Sequence, residues 1–256
     1  MIILNLFKKK GRRDVLDFFR NGFWAVKTDI SEKFRALTHR AVALSISSKP
    51  MIALTFDDGP GNNNASDRIL DLLSEYNAHA TFFMIGKNAQ SHPDNVRNKL
   101  LLGHEIGSHT WDHQHAGDEV TREDIEKGAR AIEAITGAKP SCFRSPHGTT
   151  TLFIRNVCRE LGVPLYCWTI DTTDWKSKDA DKVYRSVVDT VKDGDIVLMH
   201  EIYESTAQAL EMILPVLNAR GFQLVTCREL ILAKTGKEPV PGIQYESSFI
   251  ISNETD

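Results

Sequence analysis

From residue 51 onward the chain alternates between short apolar runs and longer amphipathic stretches. Strand-like runs fall at 51–56, 80–85, 105–109, 141–144, 164–170, 195–200 and 222–226, bounded by turn-forming residues. Helix-like stretches lie between them, among them 65–76, 122–136, 151–161, 180–191 and 206–220. In the last, Ala209, Met212, Ile213, Val216 and Leu217 recur at helical spacing. Gly137, Gly162 and Gly221 follow helical runs, and Thr121 with Asp124 reads as a helix start. Seven strand-then-helix units predict an α/β fold, a parallel sheet of about seven strands covered by helices and closed into a barrel.

The pattern weakens at both ends. It divides the chain into an extension at 1–50, a central domain at 51–232 and a tail at 233–256. Within the extension, 14–26 presents Val15, Phe18, Phe19 and Phe23 on one face of a short helix that Gly22 weakens. Packing on or beside the barrel is the expectation. The tail is polar and proline-bearing, and reads as an extended closing segment.

At 256 residues the chain is long enough for one large domain with an ample core. A net charge of −3 argues against a nucleic-acid partner, but it hides an asymmetry. The first 50 residues carry eleven Lys/Arg against four Asp/Glu, a net of +7, which leaves −10 for the rest. Lys8-Lys9-Lys10-Gly11-Arg12-Arg13 could touch an anionic surface, although such charge runs are usually solvated segments. No stretch reaches membrane-spanning length, so stable membrane insertion is not expected. Residues 1–7 are too short for a signal-peptide core and precede the positive cluster, which by itself reads as cytoplasmic. Cys142, Cys158, Cys167 and Cys227 lack CxxC spacing and disulfide density. Cys142, Cys167 and Cys227 lie in strand-like runs and read as buried free thiols.

The chemistry concentrates at strand ends. Asp57-Asp58 follow the apolar run Met51-Ile52-Ala53-Leu54, and Gly59-Pro60 break it, so two carboxylates arrive at the mouth of a strand. His109 and His113 stand four apart, a spacing that suits two imidazoles on one cation. One carboxylate, two imidazoles and water make the open coordination of catalytic zinc, and the second aspartate is left to work on the water. Arg144, Asp171, Asp174 and His200 also stand at or just after strand ends, the active face of such a barrel. Each has a plainer reading: turn chemistry for Asp57-Asp58, an ion pair for Arg144 with Asp174, core positions for His200 and Trp175. Their joint occurrence at one face decides for a metal hydrolase. His104 and His115 read as surface residues.

Five segments carry a resemblance: Thr55-Phe56-Asp57-Asp58-Gly59-Pro60, His109-Thr110-Trp111-Asp112-His113, Phe143-Arg144-Ser145-Pro146-His147-Gly148, Asp171-Thr172-Thr173-Asp174-Trp175 and Leu198-Met199-His200. In that order and spacing, across roughly residues 50 to 232, the chain resembles the polysaccharide deacetylase family (NodB homology domain, carbohydrate esterase family 4). The resemblance implies a distorted, NodB-like (β/α) barrel and metal-dependent removal of acetyl groups from N-acetylglucosamine-containing glycans, peptidoglycan or chitin-like. It assigns Asp57 as general base, His200 as general acid, and Asp58, His109 and His113 as ligands of one divalent cation. Zinc suits that set best, and cobalt, nickel or manganese could also occupy it. Arg144 would orient Asp57, and Asp174 would pair with Arg144. Pro146, His147, Trp175 and Leu198 would bind substrate, Trp175 and Leu198 around the acetyl methyl group, with a backbone N–H near His147 at the oxyanion.

The expected partner is an N- or O-acetylated oligo- or polysaccharide, acted on by a monomer. Acetyl xylan esterase chemistry is the alternative, and an inactive glycan-binding module a third reading, against which every retained titratable motif residue weighs. The implied glycans lie outside the cytoplasm, at odds with the unrecognisable leader. Two positions depart from the family pattern: His147 stands where tyrosine is usual, and Ser145 replaces the commoner proline, which should relax its loop.

Overall fold

The computed structural model of the protein describes residues 48–115 and 118–247. The helix expected at 14–26 and the basic cluster lie outside the described residues. In chain order the elements are β1 (Met51–Asp57), α1 (Ala65–Glu75), β2 (Thr81–Met84), α2 (Gly86–Ser91), α3 (Pro93–Leu101), β3 (Glu105–Ser108) and α4 (Arg122–Thr136). They continue with β4 (Cys142–Phe143), a 3₁₀ turn (Pro146–Gly148), α5 (Leu152–Leu161), β5 (Leu165–Tyr166), β6 (Ile170–Asp171), α6 (Asp174–Ser177) and α7 (Ala180–Val188). The last are β7 (Ile196–His200), α8 (Glu204–Ala219), β8 (Gln223–Val225), α9 (Cys227–Thr235) and β9 (Gln244–Tyr245). No helix among the described residues is long and apolar enough to cross a membrane.

Every ladder in the sheet is parallel. The strand order is β6-β7-β1-β2-β3-β4-β5-β9, with β8 beside β1. β5 pairs with β4 and β9, whereas β6, four residues on, pairs with β7 at the opposite end of that order. The stretch 165–171 therefore joins the sheet's two ends, and a bridge between Asp195 and Ser247 adds a second link. This is the expected distorted barrel, with nine strands among the described residues in place of about seven. The predicted run 164–170 splits because its middle changes partners: Cys167 N donates to Tyr245 O and Thr169 N to Ile196 O. The ninth strand comes from the tail, whose extended closing segment is built into the sheet.

All seven residues of β1 are buried, as expected of a parallel strand covered on both faces. Its two-residue period separates two cores. Ile52, Leu54 and Phe56 pack with Ile69 and Leu73 of α1 and with Leu210, Ile213 and Leu217 of α8. Met51 and Ala53 join Phe83, Cys142, Tyr166, Ile196 and Val225 in the barrel interior. Each fully buried Leu or Ile in the outer layer contributes about 1.5–3 kcal/mol. The same period turns Thr55 and Asp57 inward, so the strand that builds the core also delivers a carboxylate to the top of the barrel.

The five expected helices form. Thr121 and Asp124 close a reciprocal capping box on α4, and Gly137 ends it at φ 75. α2, α3, α6 and α9 are additional, most of them too short to show a period. Cys227 opens α9, capped by Thr226 and Glu229, and so does not extend a strand. The four cysteines are free, three buried and Cys167 half-buried, and burial pushes the Cys158 thiol up to about 12. His115 is exposed as expected. His104 is not: it is 5% exposed, and its Nδ1 accepts Ala80 N–H at 3.2 Å. Its position at the sheet's lower edge, where α3 turns into β3, buries it.

Candidate active site

The strands' C-terminal ends bring Asp57, Asp58, His109, His113, Arg144, Asp174 and His200 together. Arg144 organises the floor. Its guanidinium is buried (1% exposed), and it lies over the Phe83 ring at 4.1 Å. It donates from Nη1 to Asp57 Oδ1 and Thr55 Oγ1 at 2.8 Å, from Nε to Tyr166 O at 3.0 Å and from Nη2 to Cys167 O at 2.8 Å. Four acceptors leave the side chain one pose. One Asp57 oxygen is thereby held, and the other, Oδ2, faces His109 Nε2 at 3.8 Å.

Asp58, His109 and His113 form a compact ligand set, their nearest donor atoms within 4.8 Å of one another. Asp58 Oδ1 lies 3.7 Å from Nε2 of each imidazole and is buried without a hydrogen-bond partner. His109 Nδ1 donates to Arg144 O at 2.7 Å, so its Nε2 lone pair is aimed at the cluster. Burial raises the Asp58 pKa. Burial lowers that of His109, and burial with the neighbouring His147 lowers that of His113. Two neutral imidazoles and an unpaired carboxylate oxygen, converging where no hydrogen bond satisfies them, are the donor set a divalent cation would complete.

Asp174 departs from its expected role. It pairs with His200, not with Arg144: Oδ1 accepts from His200 Nδ1 at 2.7 Å, and Oδ2 accepts from His200 N and Thr206 Oγ1 at 2.7 Å. The reason is local, since α6 starts at Asp174 and turns its carboxylate toward the end of β7. Burial would pull the His200 pKa down, but the hydrogen bond and charge of Asp174, with Asp57 and Asp58, outweigh it and raise it to about 9. Asp174 thus favours the protonated imidazole, whose Nε2 lies 4.0 Å from Asp58 Oδ2. Asp171 is not part of the cluster; its Oδ1 accepts Thr173 N–H at 2.8 Å and shapes the turn.

Of the expected substrate residues, Pro146 and Leu198 are buried and Trp175 is 48% exposed. His147 Nε2 bonds Gln114 O at 2.9 Å, and its ring stands edge-on to His113 at 4.7 Å. Ser145 does not relax its loop: its hydroxyl donates to Thr149 O at 2.5 Å and braces it. Asp58, Thr110, His113 and His147 all have positive φ, at 69°, 65°, 44° and 57°, the strained backbone that gathers at functional sites. Sequence reading missed Thr55 and Thr206, although both stand in segments singled out for their neighbours. It also missed Asn88, whose Nδ2 donates to Asp58 O at 2.7 Å and which no motif marks.

Fold and site define a parallel α/β barrel whose mouth joins an Asp-His-His donor set to a buried Asp–Arg pair and an Asp-bonded histidine. Comparison with known proteins carries this one step further. Residues 45–166 match the polysaccharide deacetylase family. A peptidoglycan-N-acetylglucosamine deacetylase of Bacillus cereus is 38% identical over 195 residues, covering 73% of this chain and 91% of the relative. One of Listeria monocytogenes is 39% identical over 182 residues, 70% of this chain and 38% of the relative; this chain thus spans well under half of that protein. Among solved structures, a family 4 acetyl xylan esterase from Clostridium thermocellum in complex with a cobalt ion superposes with a TM-score of 0.70 at 31% identity, covering 78% of this chain and all of the other. The chain belongs to the polysaccharide deacetylase family.

Proposed function

We propose that the protein hydrolyses the acetamide of N-acetylglucosamine units in peptidoglycan or chitin-like glycans, with residues 51–232 as the catalytic domain and 1–50 as an extension of it. The observation that carries this reading is the pairing of two opposite functions in one cleft. Asp57 has one oxygen fixed by Arg144 and the other open, while His200 is bonded through Nδ1 to the Asp174 carboxylate, which favours its protonated form. The names of the bacterial relatives favour the amide substrate.

Asp58, His109 and His113 would hold one divalent cation, zinc by the chemistry of the donor set. When bound, such a cation acidifies water and polarises the acetyl carbonyl. Asp57 Oδ2 takes a proton from the attacking water. The water oxygen adds to the carbonyl carbon, and the tetrahedral adduct breaks its C–N bond as His200 Nε2 protonates the departing nitrogen. Acetate and a free amine result. Arg144 keeps Asp57 from rotating away, and Asp174, accepting from His200 Nδ1, orients the ring and favours the imidazolium form that carries a proton at Nε2. Trp175 at the rim offers the sugar an aromatic face.

The C. thermocellum esterase supports a second reading, removal of O-acetyl groups from xylan at the same site. Purified protein assayed on chitooligosaccharides, peptidoglycan fragments and acetylated xylan separates the two. Acetate release from N-acetylated glycans, abolished by chelation and restored by zinc, is the expected result. Activity on acetylated xylan with none on any N-acetylated glycan would replace the amide reading by the ester one. His200→Ala sharpens the distinction. An amine leaves poorly unless protonated, so amide hydrolysis should fall about tenfold or more beyond any loss on an activated aryl acetate.

A further inference from the structure

Behind the Asp57-Asp58 turn lies a second charged pair that none of the five sequence motifs marks. Lys99 of α3 and Glu201, the residue after His200, are both fully buried, with Lys99 Nζ 2.8 Å from Glu201 Oε2. Lys99 also donates to Asn95 and lies over the Phe82 ring. Neither oxygen of Glu201 receives a hydrogen bond of good geometry among the described residues, so the lysine charge compensates the carboxylate. Two charges taken out of water are costly, and a pair of apolar side chains of similar volume would usually serve stability as well. Packing alone does not account for them.

What Glu201 touches suggests a reason. Its carboxylate lies hard against Gly59, where a built Cβ would fall 1.6 Å from Oε1. Its own N–H donates to Asp57 O at 3.3 Å. One residue thus reaches the backbone on both sides of Asp58, and through the chain it adjoins His200. Asp58 itself is held at φ 69, a conformation that a carboxylate-bearing residue keeps only when its surroundings fix it. Asn88 pins its carbonyl from a second element.

We propose that Lys99 and Glu201 form a positioning pair. It clamps the end of β7 against the Asp57–Pro60 turn, and so sets the Asp58 carboxylate relative to the two imidazoles and to His200. This rests on the cation-site reading given above. The lysine acts by fixing the rotamer of Glu201, and the glutamate by supporting Gly59 from beneath. Gly59 then has a packing reason to be glycine, independent of turn geometry.

The test uses Lys99→Met, Glu201→Gln and the double variant of the full chain. Each is read by thermal melting, by competition titration of Zn²⁺ against a chelator, and by kcat and KM on a chitooligosaccharide. Removing one partner leaves a buried charge uncompensated, so the single variants should melt lower. The double variant has no orphaned charge and should melt near wild type. If the pair positions the site, the folded double variant still binds Zn²⁺ about ten- to a hundredfold more weakly, the usual cost of losing a group that orients ligands. Its kcat should fall by a similar factor with KM within about twofold, because sugar contacts are untouched. A double variant with wild-type melting, Zn²⁺ affinity and kcat would overturn the proposal and leave the pair a packing device. A wild-type protein that binds no Zn²⁺ and releases no acetate would instead overturn the functional reading, so the two failures are told apart. Singles that fail to fold leave the double variant to decide.

Discussion

The two ends of β3 carry the same residue types in opposite situations. At its start His104 and Glu105 are buried beneath the barrel, and just beyond its end His109 meets Asp58 at the mouth. Burial perturbs all four: His104 is pulled down to about 3 and His109 lowered, while Glu105 and Asp58 are both raised. Perturbed titration therefore does not distinguish them. Satisfaction does. Both Glu105 oxygens accept hydrogen bonds, from Thr81 Oγ1 at 2.9 Å, Arg228 N at 3.1 Å and Ser141 Oγ at 3.2 Å. Asp58 Oδ1 accepts none, and two imidazole nitrogens face it. A buried carboxylate whose acceptor sites are filled belongs to the fold; one met by two unbonded imidazole nitrogens offers the donor set a cation would complete.

The largest effect should come from the mouth. Asp58→Asn or His109→Ala removes a ligand, and zinc stoichiometry measured by elemental analysis should fall well below one per chain. Turnover should drop on the order of 10³-fold or more, because a cation's contribution to such a transition state is several kcal/mol. His104→Gln, at the other end of the strand, should leave stoichiometry and turnover in place. Equal losses from both ends would erase the distinction.

Asp57→Asn comes next. Asparagine keeps the shape and one acceptor for Arg144 but cannot take a proton, so kcat should fall by roughly two to four orders of magnitude. Zinc content should survive, since Asp58 carries the ligation. A variant with an emptied site would show that the two aspartates have each other's roles.

The third effect is a titration, read in the cation-free protein. His200 has a folded pKa of about 9 against an ordinary 6.5. A raised folded value stabilises the protein below the unfolded pKa, and that stability is lost as pH rises from about 6.5 through about 9. At about 1.4 kcal/mol per unit this is on the order of 3 kcal/mol. Asp174→Asn removes the charge that raises the value and leaves the burial that lowers it, so the imidazole should titrate well below 9 by NMR. Stability should then vary less across that alkaline window. An unchanged His200 titration would show that Asp174 only fills space.

Most of this site was legible because each motif ends a strand, and parallel strands all deliver their ends to one face. The β1 alternation even fixes which aspartate points inward. Pairings between side chains were less legible. Asp174 went to His200 and not to Arg144 because the one-turn helix α6, too short for a period, aims its carboxylate. The split of β5 from β6 depends on which neighbours a strand meets, and no local pattern records that. Lys99 and Glu201 left no signal, since a lysine in a helix and a glutamate after a strand usually point to water.

Glu105→Gln should have the smallest effect, and its sign is informative. A carboxyl whose folded pKa is raised above its ordinary 4.5 binds more protons folded than unfolded between those two values. Wild-type stability therefore falls as pH rises through that window, and its three donors offset part of what burying the ionised form costs. Glutamine keeps an acceptor for Thr81 and Arg228 and turns an amide toward Ser141, whose hydroxyl can rotate to accept. At pH 7 denaturant melts should place the variant within about 1 kcal/mol of wild type, since a lost charge and a rearranged hydrogen bond nearly cancel. Toward pH 4.5 wild type should gain on the variant, because only wild type takes up a proton there. Zinc content and kcat should not move. If Glu105→Gln weakened the cation site, the satisfied carboxylate below the barrel and the unsatisfied one at its mouth would be one coupled network, and the contrast between them would fail.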